Sequence, residues 1–252
     1  MNDKEELVRK GYDTLSEKFQ KNRTSFDIGK EFEAFRTLLP KNAKVLDLGC
    51  GTGVSRTKFL VDSGFNVTGI DFSEKMLKYA RKNVPEAIFI QQDMTTIDFQ
   101  ENTFDGLIAC YSIIHVPREK HALLFKTIHT LLKPGGVMLI SLGSKEWEGT
   151  DNFLGTNMFW SHYSPQKSLQ IIKDAGFQII FDRMIVGGGE KHYWILAKKG
   201  NNDLSNRFFQ IYIELREDFE KQIDLDFNFS EITYAISILF WFNARIYPFS
   251  FF

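Results

Sequence analysis

Three carboxylates and three glycines stand at spacings that suit a nucleoside-type cofactor. Asp47 lies inside the apolar run VLDLG, and Gly49, Gly51 and Gly53 follow in VLDLGCGTG. Asp71 closes FNVTGID and Asp93 closes AIFIQQD. Glycine has no Cβ, so the backbone can bend sharply and a ligand can lie against it. An acid inside an apolar strand is costly unless it is paired or functional. An acid at the next strand end, about twenty residues past such a turn, is placed to accept hydrogen bonds from ribose hydroxyls. Asp71 alone reads equally well as a strand-end or capping residue. Three acids at three successive strand ends argue instead for binding, with Asp93 in reach of an adenine amine.

Two better-known glycine turns do not fit. A dinucleotide fingerprint counted from Gly49 puts Val54 at its third small position, where a bulky side chain opposes close helix–strand packing. This argues against a nicotinamide-linked oxidoreductase. A phosphate-cradling loop needs Lys-Ser or Lys-Thr after the glycines, and the chain reads GTGVSR.

The elements that must position these groups are legible as apolar runs alternating with amphipathic stretches. KVLDLG, FNVTGID, AIFIQQD, FDGLIACYS and VMLISLG read as five strands. Helices are expected between them: one from about Val54 closed by Gly64, one capped by Ser73, and one from Pro117 to Lys133 ended by KPGG. After a loop rich in Gly, Trp and Asn, Ser164–Pro165 opens a helix with Leu169, Ile172 and Ala175 inward. QIIFDRMIV and KHYWILAKK, separated by GGGE, read as a terminal hairpin that adds one antiparallel strand. Uniformly apolar strands alternating with helices mean a parallel sheet covered on both faces. The expected fold class is α/β, a three-layer Rossmann-like arrangement. Residues 3–39 read as helices, with Leu7, Val8, Leu15 and Phe19 on one stripe and Phe32, Phe35 and Leu39 on another, and Pro40 stops them.

VLDLGCGTG, VTGIDFSEKML, FIQQDM, FDGLIACYSIIHV and LLKPGGVMLIS, in this order and spacing, resemble the class I S-adenosylmethionine-dependent methyltransferases, especially those acting on small molecules. The resemblance covers roughly residues 41–198 and implies a seven-stranded, mostly parallel sheet with a reversed last strand. It implies S-adenosyl-L-methionine as cofactor and Asp47, Gly49, Cys50 and Gly51 close to its methionine and ribose portions. It also implies Asp71 on the ribose, Phe72 and Met94 about the adenine with Met76 nearby, Asp93 on the amine, and Tyr111 at the methionine end. Tyr12 and Arg23 match positions that close over the cofactor in such enzymes.

A sulfonium makes its methyl group electrophilic, so the protein need only align an acceptor lone pair and exclude water. A base is required only when the acceptor must lose a proton. His115, just after the fourth strand, is the candidate for that work, or else a positioned, hydrogen-bonded histidine. EGTDNFLGTNMFWSHYSP puts Trp160, His162 and Tyr163 on a long loop expected at the acceptor pocket, with packing an equal reading for Trp160. His192 and Trp194 share a strand face and read as structural. His121 and His129 are expected on a solvated helix face. No His and carboxylate set has metal-site spacing, so no metal is expected.

The chain has 252 residues, formal net charge −1, 43% hydrophobic and 25% charged residues, and two cysteines. No basic field invites nucleic acid, and CYSI stands where base-amino methylases resemble one another in [DN]PP[YFW]. The expected acceptor is a small molecule. Cys50 and Cys110 form no disulfide framework. The charged N-terminus and an apolar stretch, AISILFWF, too short to span a bilayer, lead to a cytoplasmic expectation. The expected divisions are a helical cap over 1–40, the cofactor domain over 41–199 and an aromatic-rich helical extension over 200–252. In that extension Leu204, Phe208, Ile211, Leu215 and Phe219 fall at helical spacing. The extension reads as a docking helix for the main domain or a partner, with a membrane surface second. A non-catalytic cofactor-binding module is the alternative to an enzyme.

Overall fold

A computed structural model describes residues 3–22, 29–187 and 189–200, all within one compact unit that ends at Asn201. Arg23, Phe26 and the whole expected extension beyond residue 200 lie outside the described residues.

Five strands run parallel: β1 (Lys44–Leu48), β2 (Asn66–Asp71), β3 (Ile88–Gln91), β4 (Phe104–Ala109) and β5 (Leu132–Gly143). Two more, β8 (Phe177–Gly187) and β9 (Glu190–Lys199), complete a seven-stranded sheet in the order β3-β2-β1-β4-β5-β9-β8. The last strand, β9, is antiparallel to both of its neighbours, as the short GGGE connection requires. Strand order reverses between β1 and β4, which opens a crevice beyond their carboxyl ends.

Alternation along each strand divides the core into two layers. Leu46 and Leu48 of β1 face α5 (His121–Leu131) and α6 (Pro165–Asp174), where Leu124, Phe125, Ile128 and Ile172 pack. Val45 faces the other way, toward Phe32 and Phe35 of α2 (Lys30–Thr37) and Leu60 of α3 (Arg56–Asp62). Asp47 alternates with Leu46 and Leu48, and this alternation carries its carboxyl to the α2–α3 side. Ser73 caps α4 (Glu74–Asn83) by accepting the Met76 amide at 3.2 Å, and Met76, Leu77 and Ala80 bury the inner face of that helix. The long α1 (Asp3–Asn22) buries Val8, Leu15 and Phe19. Among the described residues no helix is long and apolar enough to cross a membrane.

Four expectations change. Residues 147–162 are not a loop but a β-hairpin, β6 (Trp147–Phe153) paired with β7 (Thr156–His162), and β7 packs on α1. Leu154 and Gly155 form its two-residue turn, both at positive φ (55° and 93°). The helix expected from Pro117 begins at His121 after a single 3-10 turn over Arg118–Lys120, and KPGG belongs to the head of β5. Val54 precedes α3, which starts at Arg56. His121 is buried, 1% exposed, because it continues the Leu124, Phe125 and Ile128 face one turn back, and its Nε2 lies 3.0 Å from the Val116 carbonyl. His129 is half-buried, its ring edge-on to Phe177.

Candidate functional site

The glycine turn is fixed from three sides. Gly49 and Cys50 donate their amides to the Ile70 carbonyl at 2.8 and 3.0 Å, and Gly51 donates to Asp71 Oδ2 at 2.9 Å. Asp71 Oδ1 accepts the Ser73 amide at 2.9 Å. Gly49 holds φ at +74°, and a Cβ there would stand 2.5 Å from Ser112 Cβ. At Gly51, φ +56°, a Cβ would meet nothing within 4 Å, so this residue borders open space. Ser112 Oγ in turn donates to the Leu48 carbonyl at 2.7 Å and locks the end of β1 to the segment after β4.

Two of the three acids, Asp47 and Asp71, are buried. Burial pushes the Asp71 carboxyl up to about 6 against the Ser73 and Gly51 amides, which favour its ionised form. Burial likewise raises Asp47 to about 6, opposed by the Thr57 hydroxyl that donates to Oδ2 at 2.7 Å. Asp93 caps a 3-10 turn over Met94–Thr96 by accepting the Thr95 amide at 2.7 Å.

These groups line one cleft of about 100 Å³, together with Cys50, Phe72, Met76, Met94 and Tyr111. Its other wall carries Tyr12 and Phe19 of α1 and His115. Tyr111 sits at φ +56°, its amide donating to Ser141 Oγ at 2.7 Å, with the Arg56 guanidinium 4.8 Å from its ring centroid. The wall formed by α1 is pinned at several points. Ser73 Oγ donates to Asp13 at 2.6 Å, and Asn83 Nδ2 donates to both Gln20 and the Thr52 carbonyl at 2.8 Å. Tyr12 Oη lies 2.8 Å from His115 Nε2.

Of the residues singled out in the sequence, Tyr12, Asp47, Gly49, Cys50, Gly51, Asp71, Phe72, Met76, Asp93, Met94, Tyr111 and His115 meet in this cleft. Three others stand off its lining. Trp160 stacks against His115, ring centroids 4.3 Å apart. His162 Nδ1 bonds the Lys145 carbonyl, and Tyr163 lies edge-on to His121 beneath the Arg118 guanidinium. His192 and Trp194 flank the Tyr111 ring at 4.6 and 5.7 Å. Sequence reasoning passed over Glu5, a buried carboxylate on the cleft wall that is ion-paired with Lys120. Its signal was spacing: residues 5, 8, 12, 15 and 19 form one helical stripe, and the charge at its head hid the first member.

Comparison with known proteins follows the same lines. The family described as "Methyltransferase domain" matches residues 45–136. A Bacillus subtilis protein named as the methyltransferase YqeM is 31% identical over 152 residues, 55% of this chain and 61% of that protein, so the chain spans less than two thirds of its length. An uncharacterized methyltransferase of Synechocystis is 30% identical over 153 residues, 58% of this chain and 71% of that one. Among solved structures, a methyltransferase of Methanosarcina mazei superposes with TM-score 0.61 at 19% identity, covering 69% of this chain and 99% of that one.

Proposed function

The chain belongs to the class I S-adenosylmethionine-dependent methyltransferase family, with S-adenosylmethionine as cofactor, and from that premise we propose that it methylates a small-molecule acceptor. The observation that carries this reading is the Gly51–Asp71 contact beside a bend that no side chain fills. A carboxylate offers about four lone-pair sites. The Gly51 and Ser73 amides take two, and the Phe72 amide also favours the ionised form. The capacity that remains suits a ribose hydroxyl. Phe72 and Met94 flank the adenine, Asp93 accepts from its amine, and Tyr111 with the Gly49–Gly51 bend borders the methionine portion.

The bound cofactor supplies an electrophilic methyl group that an acceptor lone pair takes while the C–S electron pair stays on sulfur. The protein's share is alignment and the exclusion of water. Glu5, Tyr12 and Phe19 on α1 border the acceptor end opposite the bend, and His115 is the titratable group there. A wall built by a helix favours a compact metabolite over a polymer, and the near-zero net charge agrees with this.

The test is turnover of a metabolite pool with S-adenosylmethionine, read as S-adenosylhomocysteine by mass spectrometry, alongside calorimetry of S-adenosylhomocysteine binding. The wild-type chain should bind and turn over, and Gly51→Val, which fills the bend, should do neither. A purified chain that binds neither compound would overturn the proposal.

A further inference from the structure

His115 is oriented before anything enters the cleft. Its Nδ1 lies 2.7 Å from the Phe159 carbonyl oxygen, and a carbonyl can only accept, so Nδ1 carries the proton. A neutral ring then has a bare Nε2, and the atom it faces is the Tyr12 oxygen at 2.8 Å. Tyr12 is therefore the donor. Trp160 stacked at 4.3 Å and Tyr12 edge-on at 5.3 Å hold the ring in this attitude. Phenol and imidazole both border the cleft, one from α1 and the other from the segment after β4.

Resting on the methyltransferase reading above, the geometry points to a proton relay that defines the acceptor class: a phenol or enol whose hydroxyl proton goes to Tyr12 Oη as Tyr12 passes its own to His115 Nε2. The oxygen freed of its proton then has the lone pair that takes the methyl group. Chained hydrogen bonds polarise one another, so a tyrosine already donating to imidazole accepts a further proton more readily. The relay leaves Tyr12 neutral and His115 as imidazolium, still donating from Nδ1 to Phe159. The positive charge lost at sulfur reappears on the ring, and the net charge of the cleft is unchanged across the step. Burial holds His115 down at about 4, which keeps the ring neutral at rest. A thioether or tertiary amine has no proton to give and gains nothing from this pair.

The full chain, labelled with 15N-histidine and saturated with S-adenosylhomocysteine, tests the resting state by NMR. The expected His115 is a neutral Nδ1–H tautomer whose Nε2 resonance moves in Tyr12→Phe. Turnover of substituted phenols of graded acidity tests the relay itself. Tyr12→Phe and His115→Gln should lower turnover about 100-fold or more, most for the least acidic phenols, and abolish the acid limb of the pH profile. Affinity for S-adenosylhomocysteine should hold in both. An Nε2–H tautomer overturns the relay, as do variants that keep wild-type turnover and pH profile. Loss of S-adenosylhomocysteine binding in step with turnover would make the pair a clasp for α1. A wild-type chain that binds the cofactor but methylates only thioethers or tertiary amines, or no phenol or enol, sinks the relay and leaves the methyltransferase standing. A chain that binds no cofactor sinks the methyltransferase reading itself.

Discussion

The Asp71 carboxylate and the Gly51 amide, twenty residues apart in sequence, meet at 2.9 Å and tie the tip of β2 to the bend after β1. Asp71→Ala leaves the Gly51 and Ser73 amides without their acceptor. Calorimetry should show S-adenosylhomocysteine bound about 1–3 kcal/mol more weakly. The pH dependence has a definite sign. Ribose hydroxyls donate to the ionised carboxylate, so affinity should rise as pH passes upward through about 6, with a proton released on binding near that pH. For stability the sign is opposite. The folded value lies above the ordinary 3.8, so the Asp71 contribution is whole below 3.8 and lost as pH rises through about 6. An affinity flat across this range would show that Asp71 does not meet the ligand.

Gly49 and Gly51 both hold positive φ, yet their surroundings separate them. Gly49→Ala adds a clash with Ser112 to the left-handed backbone penalty and should destabilise the fold by about 2–5 kcal/mol. Gly51→Ala carries the backbone penalty alone, about 1–2 kcal/mol, and should reduce cofactor affinity instead. Urea denaturation of the two variants decides the matter. Equal losses would mean that Ser112 yields freely despite its bond to Leu48.

His121 makes the fold acid-sensitive. Burial lowers it to about 4 from the usual 6.5, so its contribution is present above 6.5 and lost as pH falls toward 4. His115 acts in the same direction. His121→Gln, which can still donate to the Val116 carbonyl, should cost less stability in acid than at neutral pH. Urea unfolding at several pH values would show the gap between the two proteins closing. A gap constant with pH would mean that His121 titrates alike in both states.

The bend and the strand ends that line the cleft were legible because their signals are local. Glycines mark the bend, single acids end apolar strands, and Ser73 caps a helix with a plain apolar face. The β6–β7 hairpin was not. Its turn uses Leu154 and Gly155 where a two-residue turn with both φ positive ordinarily shows Asn-Gly or Asp-Gly. In addition, among the described residues β6 pairs only with β7 and is mostly exposed, so it lacks the apolar run that betrays a buried strand. His121 hid for a different reason: its type suggested solvent while its three- and four-residue spacing to Leu124 and Phe125 pointed inward. The Tyr12–His115 contact, 103 residues apart, has no local signature and follows only from how α1 lies on the sheet.

The bond from Asn83 to the Thr52 carbonyl, shared with Gln20, joins the bend and α1 through a single side chain on α4. The floor and the ceiling of the cleft thus share this anchor, which adds to the Ser73–Asp13 and Tyr12–His115 bonds. Ser73 at the head of α4 and Asn83 at its tail both bond α1, which makes α4 the common support of the bend and the cleft wall.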